Sequence, residues 1–226
     1  MGERTRRTGG DPVVASASAS GATGDWGYLA LAYSPYLLND FLFIFIDSVG
    51  PWLAADYGTR IASIALLLAV PALRTHALRR DRRRCSRLEL ILLVIVAIFV
   101  MRVVGVLVSI PLDTAVPSLD LFDYPRIETP WLRVFDLTVG LAFVAVTEEL
   151  VGRRIAFAIL KRHIASPLLI VALSSVTFGL MHWSHGLGSM LSAIIAGAIL
   201  MAVYMRTGSL MAVISIHFAV NLWSFS

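Results

Sequence analysis

The sequence predicts an all-helical bundle set in a membrane, with about seven to eight helices. Two observations carry this. Apolar residues make up 58% of the 226-residue chain against 15% charged, where a soluble domain carries about 25% charge, and mean hydropathy is +0.79. The hydrophobic residues also fall into successive runs, each wide enough to cross about 30 Å of hydrocarbon as a helix. Helices satisfy their own backbone hydrogen bonds there. The composition excludes an isolated soluble enzyme, a coiled coil and a disordered regulator. Cys85 is the single cysteine, so an intrachain disulfide or a cysteine-based zinc cage is excluded too.

Residues 1–25 are small and polar and are expected to form a disordered tail, followed by an integral membrane helical domain over 26–226. Seven runs follow, near 27–48, 52–73, 88–110, 131–160, 167–184, 188–205 and 208–225. No segment reads as a strand.

The charges orient these runs. Net charge is +4, but seven arginines crowd one short segment, Arg74 to Arg87. A basic segment between two apolar runs is expected on the cytoplasmic side, against anionic lipid headgroups. No aromatic-interleaved basic surface accompanies it, so nucleic acid is not an expected partner. Arg4, Arg6 and Arg7 then place the N-terminus in the cytoplasm, and Lys161 to His163 and Arg206 bring the chain back to it. The acidic 111–130 loop falls outside. The expected location is a bacterial plasma membrane.

Ionisable groups within spans default to functional candidates. Asp40 and Arg102 sit at similar depth and are expected to pair as structural glue. Asp47, Asp56 and Arg60 are assigned to an outer turn, and Arg133 and Asp136 to an interfacial edge. A further cluster is harder to read as packing. Glu148 and Glu149 lie side by side in the fourth run, and Arg153 follows Glu149 by four residues, on the same helical face. Glu148 is left without a local counter-charge. Phe178 and His182 are also four apart, as are His217 and Asn221, each pair stacked on one helical face.

A carboxylate, two histidines and an amide offer a base, a proton carrier and oxyanion donors. Ser174, Ser175 and Thr177 lack a nucleophile-elbow context, which leaves water as the expected nucleophile. The HExxH zincin pattern is absent, so metal ranks second and no cofactor is expected. A general base must be ionised to accept a proton, and a dry apolar setting disfavours that form. The cluster therefore needs a polar cavity open to one side.

In this order and spacing, Glu148-Glu149-x-x-x-Arg153, Phe178-x-x-x-His182 and His217-x-x-x-Asn221 resemble the signature of the CAAX-protease and bacteriocin-processing family. These are intramembrane glutamic endopeptidases, among them the type II CAAX prenyl endopeptidases and the lysostaphin-resistance-protein-A-like proteins. The resemblance covers about residues 131–225. It implies hydrolysis of a peptide bond in a membrane-associated substrate, with Glu148 activating water, His182 assisting, and His217 and Asn221 stabilising the oxyanion. Glu149 and Arg153 would orient the site, with Phe178 in support. Gly152 departs from the family's frequent aromatic residue before the motif arginine, which bears on substrate fit. The competing readings are a non-catalytic membrane scaffold or immunity protein of the same fold, a metal-dependent protease, and a proton-coupled transporter. Counting residues at 1.5 Å each from the expected loops puts Glu148, His182 and Asn221 roughly 20–22 Å from one edge, and His217 about 15 Å. The four are thus expected to line one cavity, with Glu149 turned to Arg153 and His185 outside the cluster.

Overall fold

The computed structural model describes residues 12–80, 82–116, 121 and 125–226, with side chains described from residue 24 onward. Among them are eight helices and no strand, the all-α bundle that the sequence predicts. Helix α1 spans Pro12–Phe43, α2 Val49–Ala69, α3 Pro71–Ala77 and α4 Arg87–Ala115. A composite helix, α5, fills residues 130–163; α6 is Pro167–Leu180, α7 Gly186–Thr207 and α8 Leu210–Phe225. The expected tail of residues 1–25 overlaps α1 from Pro12 onward, and residues 1–11 lie outside the described part.

Local chemistry sets the helix ends. Ser86, Ser166 and Ser209 each accept a backbone N–H at the start of α4, α6 and α8, satisfying a donor that the helix leaves over. Pro71, Pro130 and Pro167 stand in the first turn of α3, α5 and α6, where proline's missing N–H costs nothing. Pro71 also ends α2, so the single expected run 52–73 becomes two helices bent by 104°.

The expectation that every run crosses the membrane as one helix needs correction. By length and composition α4 and α7 meet that requirement among the described residues, and the bent α2–α3 pair would be a third. Helices α6 and α8, at 14 and 16 residues, rise about 21 and 24 Å, short of a 30 Å layer.

Helix α5 runs through two π turns, Asp136–Gly140 and Leu150–Ile155. A π turn widens the helix by one residue and re-aims the side chains around it. Helices α6 and α7 pack closely as a hairpin: a Cβ on Gly179 would run into Ile194 and come within 2.9 Å of the Met190 carbonyl. Helix α4 lies against α7 and α8, and α8 against α5. One cluster, built on Leu67, Val151, Ile155, Ile159 and Phe178, packs beneath α1, α2 and α3. A second, built on Ala145, Leu200, Val213 and Ile216, joins α5, α7 and α8. The side chains that α4 turns away from these, including Ile91, Ile95, Phe99 and Leu107, are exposed. That apolar outer face is what a bilayer covers.

The ends of the bundle separate as the charges predict. Arg84 N–H donates to Thr207 O at 2.8 Å, and Arg206 pairs with Glu89, so the arginine segment meets the α7–α8 junction. At the opposite end Gly188 N–H donates to Asp113 at 2.8 Å.

Candidate active site

Helices α5, α6 and α8 bring their three polar pairs together. Glu148 and Glu149 end the α-helical stretch Leu141–Glu149, where the second π turn begins. Their side chains diverge from there. Glu149 is fully buried and lies 3.0 Å from Arg153 Nε, an ion pair whose N–H is not aimed along a hydrogen bond. Its other oxygen lies 2.8 Å from His217 Nδ1. A carboxylate only accepts, so Nδ1 carries the proton and donates. Glu149 therefore fixes the ring's tautomer and leaves Nε2 to face the cavity.

His182 has its tautomer set in the same way. Its Nδ1 lies 3.1 Å from the Phe178 carbonyl, an acceptor, so Nδ1–H donates and Nε2 is left as the basic nitrogen. The expectation had His182 on the helix; it occupies the turn just past the end of α6 at Leu180. Phe178 is the wedge among these groups. Its ring centroid stands 4.4 Å from the Arg153 guanidinium carbon, 5.2 Å from the His182 ring and 6.0 Å from the His217 ring.

Glu148 faces the other way. Its Oε1 accepts from Arg60 Nη1 at 3.0 Å, and Arg60 also reaches Asp56 at 3.0 Å. The buried Oε2 has no hydrogen-bond partner among the described residues and stands 3.9 Å from His217 Nε2, beyond a direct hydrogen bond. A cavity of about 420 Å³ opens there, lined by Glu148, His182, His217 and Asn221, with Arg60 and Asp136 further along its wall. A second cavity of about 410 Å³, between α4 and the α7–α8 pair, reaches His182, His217 and Asn221 from the α4 side. These three side chains, with Ser189 and Phe225, line both cavities and form the partition between them.

Several assignments are corrected. Asp56 and Arg60 are not at a solvated turn: they are 3% and 6% exposed and form the counter-charge that Glu148 lacks in its own helix. Asp40 and Arg102 do not pair. Asp40 accepts from Ser184 Oγ at 2.8 Å and stands 3.6 Å from His185 Nε2; Arg102 donates to Ser224 at 2.7 Å and lies over the Trp223 ring. Equal depth does not give equal azimuth around the bundle. His185 is not outside the cluster but lines the same cavity, with its ring 6.3 Å from that of His182. Asp136 opens the first π turn, is buried, and accepts from Tyr57 at 2.6 Å, so it is not at an interfacial edge. Gly152 sits where a Cβ would meet Phe178 at 3.5 Å and Tyr33 at 3.7 Å, both ordinary contacts. Among the described residues no group of three or more His, Cys, Asp or Glu side chains is placed to hold a metal ion.

The same segment answers to a known family. Residues 130–223 match the family described as Rce1-like, type II CAAX prenyl endopeptidase. The resemblance read from the three motifs holds. Comparison with curated proteins and with solved structures gives no match. The Rce1-like region contains α5 to α8 almost entire, so it supplies both glutamates and both histidines. Arg60, Asp40 and Arg102 come from helices ahead of it.

Proposed function

We propose that this protein is a membrane-embedded endopeptidase in which Glu148 and His182 activate water for attack on a peptide carbonyl. The observation that supports it best is the state of Glu148. One oxygen is held by Arg60, the other has no hydrogen-bond partner among the described residues and stands 3.9 Å from His217 Nε2, and Glu148 lines one cavity with His182 and His217. A carboxylate so placed can take a proton from a water molecule lying between it and an imidazole. The attacked carbonyl gains negative charge on its oxygen. The Asn221 amide, and His217 once it has taken up a proton from solvent at Nε2, line the cavity wall where that charge would develop. Breakdown of the tetrahedral intermediate breaks the C–N bond, and the proton first taken from water passes to the leaving amine. Glu149 is a positioning residue that acts through His217 and Arg153.

The substrate is a membrane-associated peptide or protein. The second cavity supports this, because apolar side chains of α4, Met101, Val106 and Ile110, line it together with His182, His217 and Asn221. The scaffold reading lacks comparable support, since it assigns no role to an unbonded buried carboxylate oxygen, which is costly to retain.

The test compares membrane and secreted peptides from cells carrying wild type or Glu148→Gln, followed by turnover of the candidate substrate by purified protein. Glu148→Gln is nearly isosteric and should abolish cleavage while the chain still inserts. Asn221→Ala should lower turnover by about 10²–10³ if its amide is an oxyanion donor. Full turnover by Glu148→Gln would sink the assignment.

A further inference from the structure

The cavity that Glu148 lines has a stretch of wall that the proposed chemistry does not use. Its described lining residues include five carboxylates and one arginine, Arg60. Arg60 is committed to Glu148 and Asp56. The other three acids have different partners. Asp136 accepts from the Tyr57 hydroxyl at 2.6 Å and Asp113 from the Gly188 N–H at 2.8 Å, both neutral donors. Asp40 accepts from the Ser184 hydroxyl at 2.8 Å, with His185 at 3.6 Å.

Asp136 is the member of this group that points to a ligand. It is 3% exposed. Its Oδ1 takes the Tyr57 bond, and its buried Oδ2 has no hydrogen-bond partner among the described residues. A carboxylate kept dry with one oxygen unmatched is costly, and a cation reaching it offsets that desolvation. The position is also built. Gly140 lines the cavity four residues further on, and a Cβ there would come within 2.6 Å of both Asp136 Oδ1 and the Tyr57 hydroxyl. Glycine is what lets the pair stand that close to the helix backbone.

The surroundings say which kind of cation. Small dications take six or more oxygen ligands from several groups at once, and no cluster of three metal-ligating side chains occurs among the described residues. Phe43 and Trp52, stacked with ring centroids 5.0 Å apart, line the same cavity. A single acid beside an aromatic wall suits a cation carried on an apolar stem, since lysine and arginine lay their methylenes along such a surface and extend only the charged head.

We propose that this wall receives a lysine or arginine side chain of the substrate, with Asp136 as the specificity-determining residue. The inference rests on the endopeptidase reading and narrows its substrate class to peptides with a basic residue near the cleaved bond. Glu148 follows Asp136 by 12 residues, a rise of about 18 Å. An extended peptide covers that length in about five residues, and the long basic stem covers part of it. The basic residue therefore falls within about five residues of the scissile bond.

The test uses the full chain carrying Glu148→Gln in phosphatidylcholine nanodiscs, so that binding is read without turnover. The probes are short N-palmitoylated peptides in which Lys, Gln or norleucine occupies each position in turn, with empty nanodiscs as the blank. At one position the Lys peptide should bind at least about tenfold tighter than the Gln peptide. Asp136→Asn, nearly isosteric and still able to accept from Tyr57, should abolish that preference. The peptide series decides the question by itself if Asp136→Asn does not fold. Affinity independent of the basic residue at every position, or a Lys preference unchanged in folded Asp136→Asn, overturns the proposal. Displacement of the Lys peptide by calcium at micromolar concentration overturns the substrate source in favour of an inorganic cation. A wild-type chain that binds with this preference but cleaves no peptide removes the endopeptidase reading and leaves the cation site standing, whereas cleavage with no basic preference does the reverse.

Discussion

Arg60 is the residue whose removal tests the site most directly. Its guanidinium reaches Asp56 through Nε and Nη2 at 3.0 Å and Glu148 through Nη1 at 3.0 Å, and the side chain is 8% exposed. Arg60→Met keeps much of the packing but strands two buried carboxylates. Breaking a buried pair by removing one partner costs about 3–5 kcal/mol, or roughly two to three and a half decades in the folding equilibrium. Asp56 retains Asn39 Nδ2 at 3.2 Å. Glu148 retains only the 3.9 Å approach of His217, so it should account for at least half the loss. Adding Glu148→Gln removes that stranded charge. The double variant should therefore be more stable than the sum of the two singles by about 1.5 kcal/mol or more, inside the range seen for residues in one network. The assay is equilibrium unfolding in mixed detergent micelles, followed by tryptophan fluorescence. Arg60→Lys adds a control: it keeps the charge but not the fork that serves two acids at once, so it should spare stability better than turnover. Single-variant effects that add within about 0.5 kcal/mol would refute the network, and with it the account of how Glu148 is held.

Two further outcomes concern the chemistry. Glu149→Gln should weaken both the Arg153 pair and the grip on His217 Nδ1, lowering stability and turnover together, whereas Glu148→Gln should lower turnover with a smaller effect on stability; unfolding midpoints measured beside initial rates check the difference. Exhaustive chelation should leave turnover unchanged, with elemental analysis finding less than one zinc per chain; activity lost on chelation and restored by zinc would move the assignment to metal-assisted hydrolysis.

Much of the site was legible because its chemistry is written at helical spacing. Glu149 and Arg153 share a face at four residues, and depth counted from three loops brought Glu148, His182, His217 and Asn221 to one level. Arg60 was missed although its signal was present. Asp56 and Arg60 form the same four-residue pair, and Arg60 stands 11 residues into α2, which begins at Val49, a depth of about 16 Å. Placing the pair at a turn ignored that count. Asp136 was not legible. An apolar periodicity of 3.6 carries no mark of a π turn, and Asp136 opens one. The mistaken Asp40–Arg102 pair shows the limit of depth arithmetic, which fixes height in the bundle and not direction around it.

Hydrolysis at this depth requires water to reach a group surrounded by apolar helices, and the two short helices account for how it can. An α6 long enough to span the layer would carry His182 inside a continuous helix wall, its carbonyls and amides bonded to one another. Because α6 stops at Leu180 after 14 residues, the chain turns within the bundle. That turn brings His182 and His185 to one cavity edge, beside Asp40 of α1, which accepts from the buried Ser184 at 2.8 Å. Non-helical backbone at membrane depth is tolerated where it lines a polar cavity, and here the turn is what makes the cavity polar on that side. Helix α5 contributes the opposite wall by its first π turn, which opens at the buried Asp136. The same departures from regular helix that shorten or widen these elements therefore bring polar side chains to the wall of the cavity that Glu148 lines. A lengthened, regular α6 would close the turn and dry the site, even with every motif residue retained.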